Sequence, residues 1–271
     1  MDYHNDVCET IGTGPDRLIE IFHAIDRGIT NDESSRCRHT FSFGTHINPS
    51  RMGFRSLRVL NEFELDAEAT WGPHAYQNME ILTHVTDGTL SFQTSIAAVA
   101  SVDEPATAPK GESLTTGDWM LIGAGTGASL EMKNLSSRKS AKFWQIWIYP
   151  EEQDFKPIFE RRHHHDLLQA RHCVACRESE RSQDSAASPM LVRQDVRIDQ
   201  LRIKPEEPLT MKLDPSRHAW LQCLRGEVDV SDQSDSHVVT MGRGDGVSVR
   251  FSDGLKLRAA SDCRLILLDL L

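Results

Sequence analysis

The chain has 271 residues and a formal net charge of −10, with 26% charged and 39% hydrophobic residues. This is the balance of a folded globular protein long enough for two domains of ordinary size. Its acidity argues against direct nucleic-acid binding, and no run of Lys and Arg is long enough to reverse the field locally; Arg161-Arg162 reads as a solvated surface pair.

The chain opens on MDYHNDVCET, acidic where a signal peptide needs a basic start and an apolar core, so a cytoplasmic protein is expected. Residues 1–16, with Gly12, Gly14 and Pro15, read as a flexible tail. The apolar patch Leu18 to Ile25 is a first strand or a helical turn.

From Arg36 onward, short runs rich in Val, Ile, Thr, Phe and Trp alternate with turn signals at Asn48-Pro49, Asp87-Gly88, Gly117-Asp118 and Gly123 to Gly127. That punctuation predicts an all-β sandwich or barrel, and no window of a dozen residues has a clean helical period. Lys142 to Tyr149 (KFWQIWIY) is nearly continuous in apolar residues, as in a strand buried on both faces. Trp71, Trp119, Trp144 and Trp147 are expected in core or rim packing. GAGTG, from Gly123, lacks the Lys-Ser/Thr of a phosphate loop and reads as a turn.

A polar, Ser-rich stretch, residues 177–189, marks an exposed loop near a domain junction. A weak repeat supports two copies of one β fold. MEILTHVTDGTLSF from Met79 answers to WLQCLRGEVDV from Trp220, each with a tight turn suited to a hairpin, and TTGDWMLI answers to GRGDGVSV. The last apolar run, Leu265 to Leu268, stops at Asp269 and is too short to span a membrane. Of the six cysteines, Cys223 and Cys263 sit in strand-like runs as small core residues, and all six are expected reduced.

Several stretches together carry a family resemblance: HTFSFG from His39, MGF-x-x-LRV from Met52, NMEI from Asn78, GAGTG and QIWI from Gln145. Arg193-Gln194-Asp195, the Trp220-Leu221-Gln222 strand, Gly244-Asp245-Gly246 and LLDL extend it into the second half. On these motifs the chain resembles the pirin family, bicupins that include bacterial quercetin-oxidising enzymes. The resemblance implies two antiparallel β-barrels, an N-terminal cupin over residues 17–170 and a C-terminal cupin over 171–271.

It also implies a site. The family holds its metal with two histidines in a G-x-H-P-H segment, and with a His and a Glu in a G-T-G-I-x-H-S-E segment. Here the first segment is Gly72-Pro73-His74-Ala75-Tyr76, and the second is Gly125-Thr126-Gly127-Ala128-Ser129-Leu130-Glu131-Met132. His74 matches the first ligand, while Tyr76, Leu130 and Met132 stand at the other three positions. One imidazole, a phenol, a hydrocarbon and a thioether do not make the convergent N/O donor set that a mononuclear Fe, Ni, Cu or Mn needs. Glu131 cannot substitute without a bulge, since neighbours on a strand face opposite ways. His74 and Tyr76, two apart, are either a ligand-contacting pair or a buried hydrogen-bonded pair.

No cofactor and no catalytic residue are therefore expected. The leading reading is a non-catalytic module that binds a small molecule or a protein partner, in a regulatory or interaction role. The second is a metal-dependent quercetin 2,3-dioxygenase. A third uses Cys173-Val174-Ala175-Cys176, with His163, His164, His165, Asp166 and His172 nearby, as a zinc clip or redox pair, although a lone C-x-x-C is weak evidence.

Overall fold

A computed structural model describes residues 19–96, 112–163, 169–177, 188–235 and 237–271. The described residues form 22 strands and one short 3-10 turn (Ala24–Asp26), with no α-helix among them. The expected tail and most of the Ser-rich loop lie outside the described residues.

The first barrel has two sheets. Its seven-stranded sheet runs, edge to edge, through β12 (Ile158–Arg162), β9 (Trp119–Gly123), β6 (Glu80–Asp87), β11 (Ala141–Ile148), β4 (Leu57–Leu65), β3 (Ser35–His39) and β2 (Gly28–Asn31). Facing it is a four-stranded sheet of β5 (Thr70–Tyr76), β10 (Ala128–Asn134), β7 (Thr89–Thr94) and β8 (Ser113–Thr115).

The second barrel repeats this strand order, except that its last edge strand, β14 (Met190–Leu191), pairs parallel to β13 (Arg171–Cys176) where β2 pairs antiparallel to β3. Its large sheet orders β1 (Ile19–Phe22), β20 (Gly246–Arg250), β17 (His218–Arg225), β22 (Cys263–Leu270), β15 (Val196–Ile203), β13 (Arg171–Cys176) and β14 (Met190–Leu191). Its small sheet orders β16 (Leu209–Lys212), β21 (Gly254–Ala259), β18 (Glu227–Asp232) and β19 (Val238–Gly242). The weak sequence repeat is thus a repeat of topology.

Two local expectations change. The Asp87-Gly88 and Arg225-Gly226 turns do not close hairpins. β6 pairs with β11 and β9 while β7 pairs with β10 and β8, so the chain crosses there from one sheet of the sandwich to the other. Gly88 and Gly226 sit at φ +89° and +85°, backbone conformations that side chains disfavour, which is what such a corner requires. The patch near Leu18 does form a strand, β1. The sequence reading puts residues from 17 in the first barrel, but β1 hydrogen-bonds to β20 in the second, where it takes the edge place that β12 takes in the first. An edge strand needs one partner only, and it can come from either end of the chain.

The two large sheets pack back to back. Leu60, Trp119 and Trp144 of the first barrel meet Trp220, Ile266 and Leu268 of the second in one buried cluster. Phe22, Phe41 and Phe54 surround the Trp220 ring at centroid distances of 4.9, 5.0 and 5.4 Å. Polar pins cross the same interface: Trp119 Nε1 donates to Gln200 Oε1 (3.2 Å), and Arg243 pairs with buried Glu62 (2.8 Å). Buried Glu80, at the start of β6, accepts the backbone N–H groups of Arg193 (2.8 Å) and Gln194 (3.2 Å).

Burial raises the Glu80 pKa from 4.5 to about 7, the two N–H groups and Arg193 only partly opposing it. The native state therefore holds a proton that the unfolded chain has released, so this group's contribution to stability falls as pH rises from about 4.5 to about 7. Over that window the loss is on the order of 3 kcal/mol. Urea unfolding of wild type and Glu80→Gln at pH 5 and 8 should show the wild-type advantage shrinking at the higher pH; an advantage that grows would mean the carboxylate is the favoured form. At the interface, Leu268→Ala should cost about 2–5 kcal/mol and keep a single unfolding transition, because its cluster belongs to both barrels.

Candidate functional site

The four positions aligned with the metal ligands lie on the paired strands β5 and β10. Leu130 is in register with His74, Met132 with Trp71 and Ala128 with Tyr76. Two residues of β5, Gly72 and Pro73, joined by a cis peptide bond, stand opposite the single Glu131. The bulge therefore adds a residue to β5 and leaves the alternation of β10 intact.

On β10, Leu130 and Met132 are fully buried and join the core cluster inside the first barrel, while Glu131 between them is half-buried and Lys133 is exposed. The bulge does not turn Glu131 into that cluster. The two positions that would supply an imidazole and a carboxylate instead supply packing surface against Phe92, Phe143 and their neighbours.

His74 and Tyr76 part company. His74 is exposed, its ring 4.1 Å from that of Trp71, and desolvation lowers its pKa below the ordinary histidine value. Tyr76 is buried, edge-on to Trp147 at 5.2 Å, and burial raises its phenol pKa. No hydrogen bond joins them, so of the two alternatives the buried hydrogen-bonded pair is not present; the Tyr76 hydroxyl lies toward the Gln145 amide.

The donor set does not fit a mononuclear metal. A phenol whose deprotonation is made harder, one imidazole at the surface, a methyl-bearing chain and a thioether do not converge as N/O ligands. Among the described residues no group of three or more His, Cys, Asp or Glu is placed to hold an ion.

The cysteine reading meets mixed geometry. Cys173 and Cys176 lie on β13, with a register shift between Cys173 and Ala175. Cys176 is buried and Cys173 half-buried; hydrogen bonding to Cys176 and burial both raise the Cys173 thiol pKa, the reverse of an activated thiolate. His163 is engaged elsewhere, with Nδ1 2.8 Å from Asp118 Oδ1. His164, His165 and Asp166 fall outside the described residues. The GAGTG segment is the β9–β10 turn, tied down by Thr126 N–H to Phe155 O (3.0 Å).

The sequence reading did not single out the polar residues on the opposite wall. His39, Asn61, Gln145 and Thr83 stand side by side in register across β3, β4, β11 and β6. By strand alternation they share the inward face with Cys37, Phe63, Phe143 and Val85, all in the interior cluster. The signal was available at Gln145, the one polar residue in the apolar run FWQIWI, but not at Asn61 or Thr83, which sit beside Glu62 and His84.

Comparison with known proteins agrees with this architecture. Residues 23–148 match the family Pirin, and residues 181–270 match the quercetinase C-terminal cupin domain. A quercetin 2,3-dioxygenase of Escherichia coli (strain K12) is 29% identical over 253 residues, 93% of this chain and 99% of that protein. The crystal structure of YhhW from Escherichia coli superposes with a TM-score of 0.81 at 28% identity, covering 94% of this chain and 98% of that one. A structure of the same bacterial pirin in complex with nickel(II) gives a TM-score of 0.80 at 28% identity, with 93% and 99% coverage.

The packing assignment of β10 can be checked directly. Met132→Glu should destabilise the protein by roughly 2–5 kcal/mol at pH 7, since no cation or metal faces the new carboxylate. Part of the loss should return at pH 5, where a buried carboxyl is more readily protonated, as read by urea unfolding. A change within about 0.5 kcal/mol would place residue 132 at the surface.

Proposed function

The chain belongs to the pirin family and has its two-cupin fold, and on that premise we propose that it is a non-catalytic member whose first barrel binds a small molecule. It works in the cytoplasm, in a regulatory or interaction role, and needs no metal. One observation carries the reading: Leu130 and Met132 enter the barrel wall side by side at positions where the family resemblance implies a histidine and a glutamate. The other two positions agree with it, His74 being exposed and Tyr76 keeping its proton more tightly than a free phenol.

A metal-dependent quercetin 2,3-dioxygenase is the second reading, with mononuclear Fe, Ni, Cu or Mn. Its support is the printed activity of the Escherichia coli relative and the nickel(II) complex of YhhW. Those describe the relatives, and fold alone does not transfer an activity.

Dioxygen uptake with quercetin, in the presence of each of Fe, Ni, Cu and Mn, separates the two. The wild-type chain should consume no oxygen above the protein-free control. The triple variant Tyr76→His/Leu130→His/Met132→Glu should gain divalent-metal binding by calorimetry, because it rebuilds three of the four donors. Metal-dependent turnover by the wild type, abolished by His74→Ala, would overturn the proposal.

A further inference from the structure

Strand β13 carries two thiols that an unbroken strand would keep apart. Side chains alternate along a strand, so residues three steps apart belong on opposite faces. The bulge in β13 changes this. Cys173 stands opposite Asp199 and Ala175 opposite Ile198, which leaves Val174 as an extra residue unmatched on β15. Cys176 then falls opposite Arg197, two residues from Asp199 and on the same face of β15. The two cysteines therefore share a face, and the Cys173 thiol is in hydrogen-bond contact with that of Cys176. Two steps along β15 measure about 6.6 Å, inside the limit of roughly 7 Å between Cα atoms that a disulfide can bridge.

The surroundings set this pair apart from the other described thiols. Cys173 is half-buried and reachable, while Cys176 is buried. Arg171 and Arg197 converge on the buried carboxylate of Asp199, with Nε to Oδ2 at 2.7 Å and Nε to Oδ1 at 3.1 Å. Two guanidinium charges against one carboxylate leave a positive field beside the thiols, which favours a thiolate. Burial and the contact with Cys176 outweigh that field and hold the proton on Cys173, so this is a slow thiol and not a catalytic nucleophile. Cys223 and Cys263 make a second contacting pair, but both are fully buried and closed to a reagent in the folded protein.

We infer that Cys173 and Cys176 form a redox-modification site, a dithiol that a low-molecular-weight disulfide such as oxidised glutathione converts to an intramolecular disulfide and a thiol reductant restores. In the first step Cys173 Sγ, having lost its proton to solvent, attacks one sulfur of the oxidant. The oxidant's S–S bond breaks, a mixed disulfide forms on Cys173, and one glutathione thiolate leaves. Cys176 Sγ, giving up its own proton, then attacks Cys173 Sγ and expels the second glutathione thiolate. The two thiolates take up the two protons. The protein is oxidised by two electrons, and the oxidant is reduced to two thiols.

The test uses the reduced full chain, incubated with oxidised glutathione, quenched in acid, then denatured, alkylated with iodoacetamide and digested with trypsin. Both thiols fall in one peptide, HCVACR, from His172 to Arg177. The wild type should yield this peptide unalkylated and lighter by two hydrogen atoms, and dithiothreitol before alkylation should return it doubly alkylated. Cys176→Ser should stop at a mixed disulfide between Cys173 and glutathione, whereas Cys173→Ser should leave Cys176 alkylated. The peptide HAWLQCLR, which carries Cys223, should stay alkylated throughout. Double alkylation of HCVACR in the wild type after oxidation, a mixed disulfide that persists there, or equal glutathione on the two single variants would overturn the inference. Equal oxidation of Cys223 would overturn it too, because the reaction would then belong to the unfolded chain.

Discussion

Strand β10 sets the chemistry of the first barrel. Residues two apart on a strand share a face, so Leu130 and Met132 enter the interior together and exclude Glu131 from it. The bulge opposite them sits on β5 and leaves that alternation untouched. Once hydrocarbon and thioether occupy these positions, a charged ligand set has nothing to neutralise it, and the uncharged lining is the arrangement of lower free energy. The exposed imidazole of His74 and the tightly held proton of Tyr76 are consistent with a wall that has no cation to face.

The rest of the molecule keeps that barrel in place. The large sheets share a tryptophan-rich cluster, and β1 joins the beginning of the described chain to the second barrel. Polar pins from Glu62, Glu80 and Trp119 cross the same seam and restrict sliding of one sheet over the other. Such pins add direction to an interface whose stability comes mainly from apolar burial. The four-stranded sheet with β5 and β10 lies on the far side of its barrel from this seam, so substitutions in the site can accumulate without disturbing the association of the two halves.

Much of this was legible in the residues. Turn signals at short intervals announced an all-β chain, and KFWQIWIY proved to be the central strand β11, buried on both faces. The replacements at Tyr76, Leu130 and Met132 could be read directly against the family motif. Other features depend on pairing that sequence does not display. The Gly88 and Gly226 corners look like hairpin turns locally, and only the partners of the flanking strands reveal the change of sheet. Positions 74 and 76 lie beyond the bulge in regular register with Leu130 and Ala128, and differ in what packs on them: Trp147 meets the buried Tyr76 ring, while His74 lies against half-buried Trp71 and stays exposed. Asn61, Thr83 and Gln145 are far apart in sequence and become one row only through strand register.

The proposed function turns on whether the interior of the first barrel retains a transition metal. Elemental analysis by plasma mass spectrometry, on the full chain produced in medium supplemented with Fe, Ni, Cu and Mn and then dialysed against metal-free buffer, measures this directly. A total far below one ion per chain, unchanged by His74→Ala, is the expected result. One tightly held ion per chain, lost on that substitution, would contradict it.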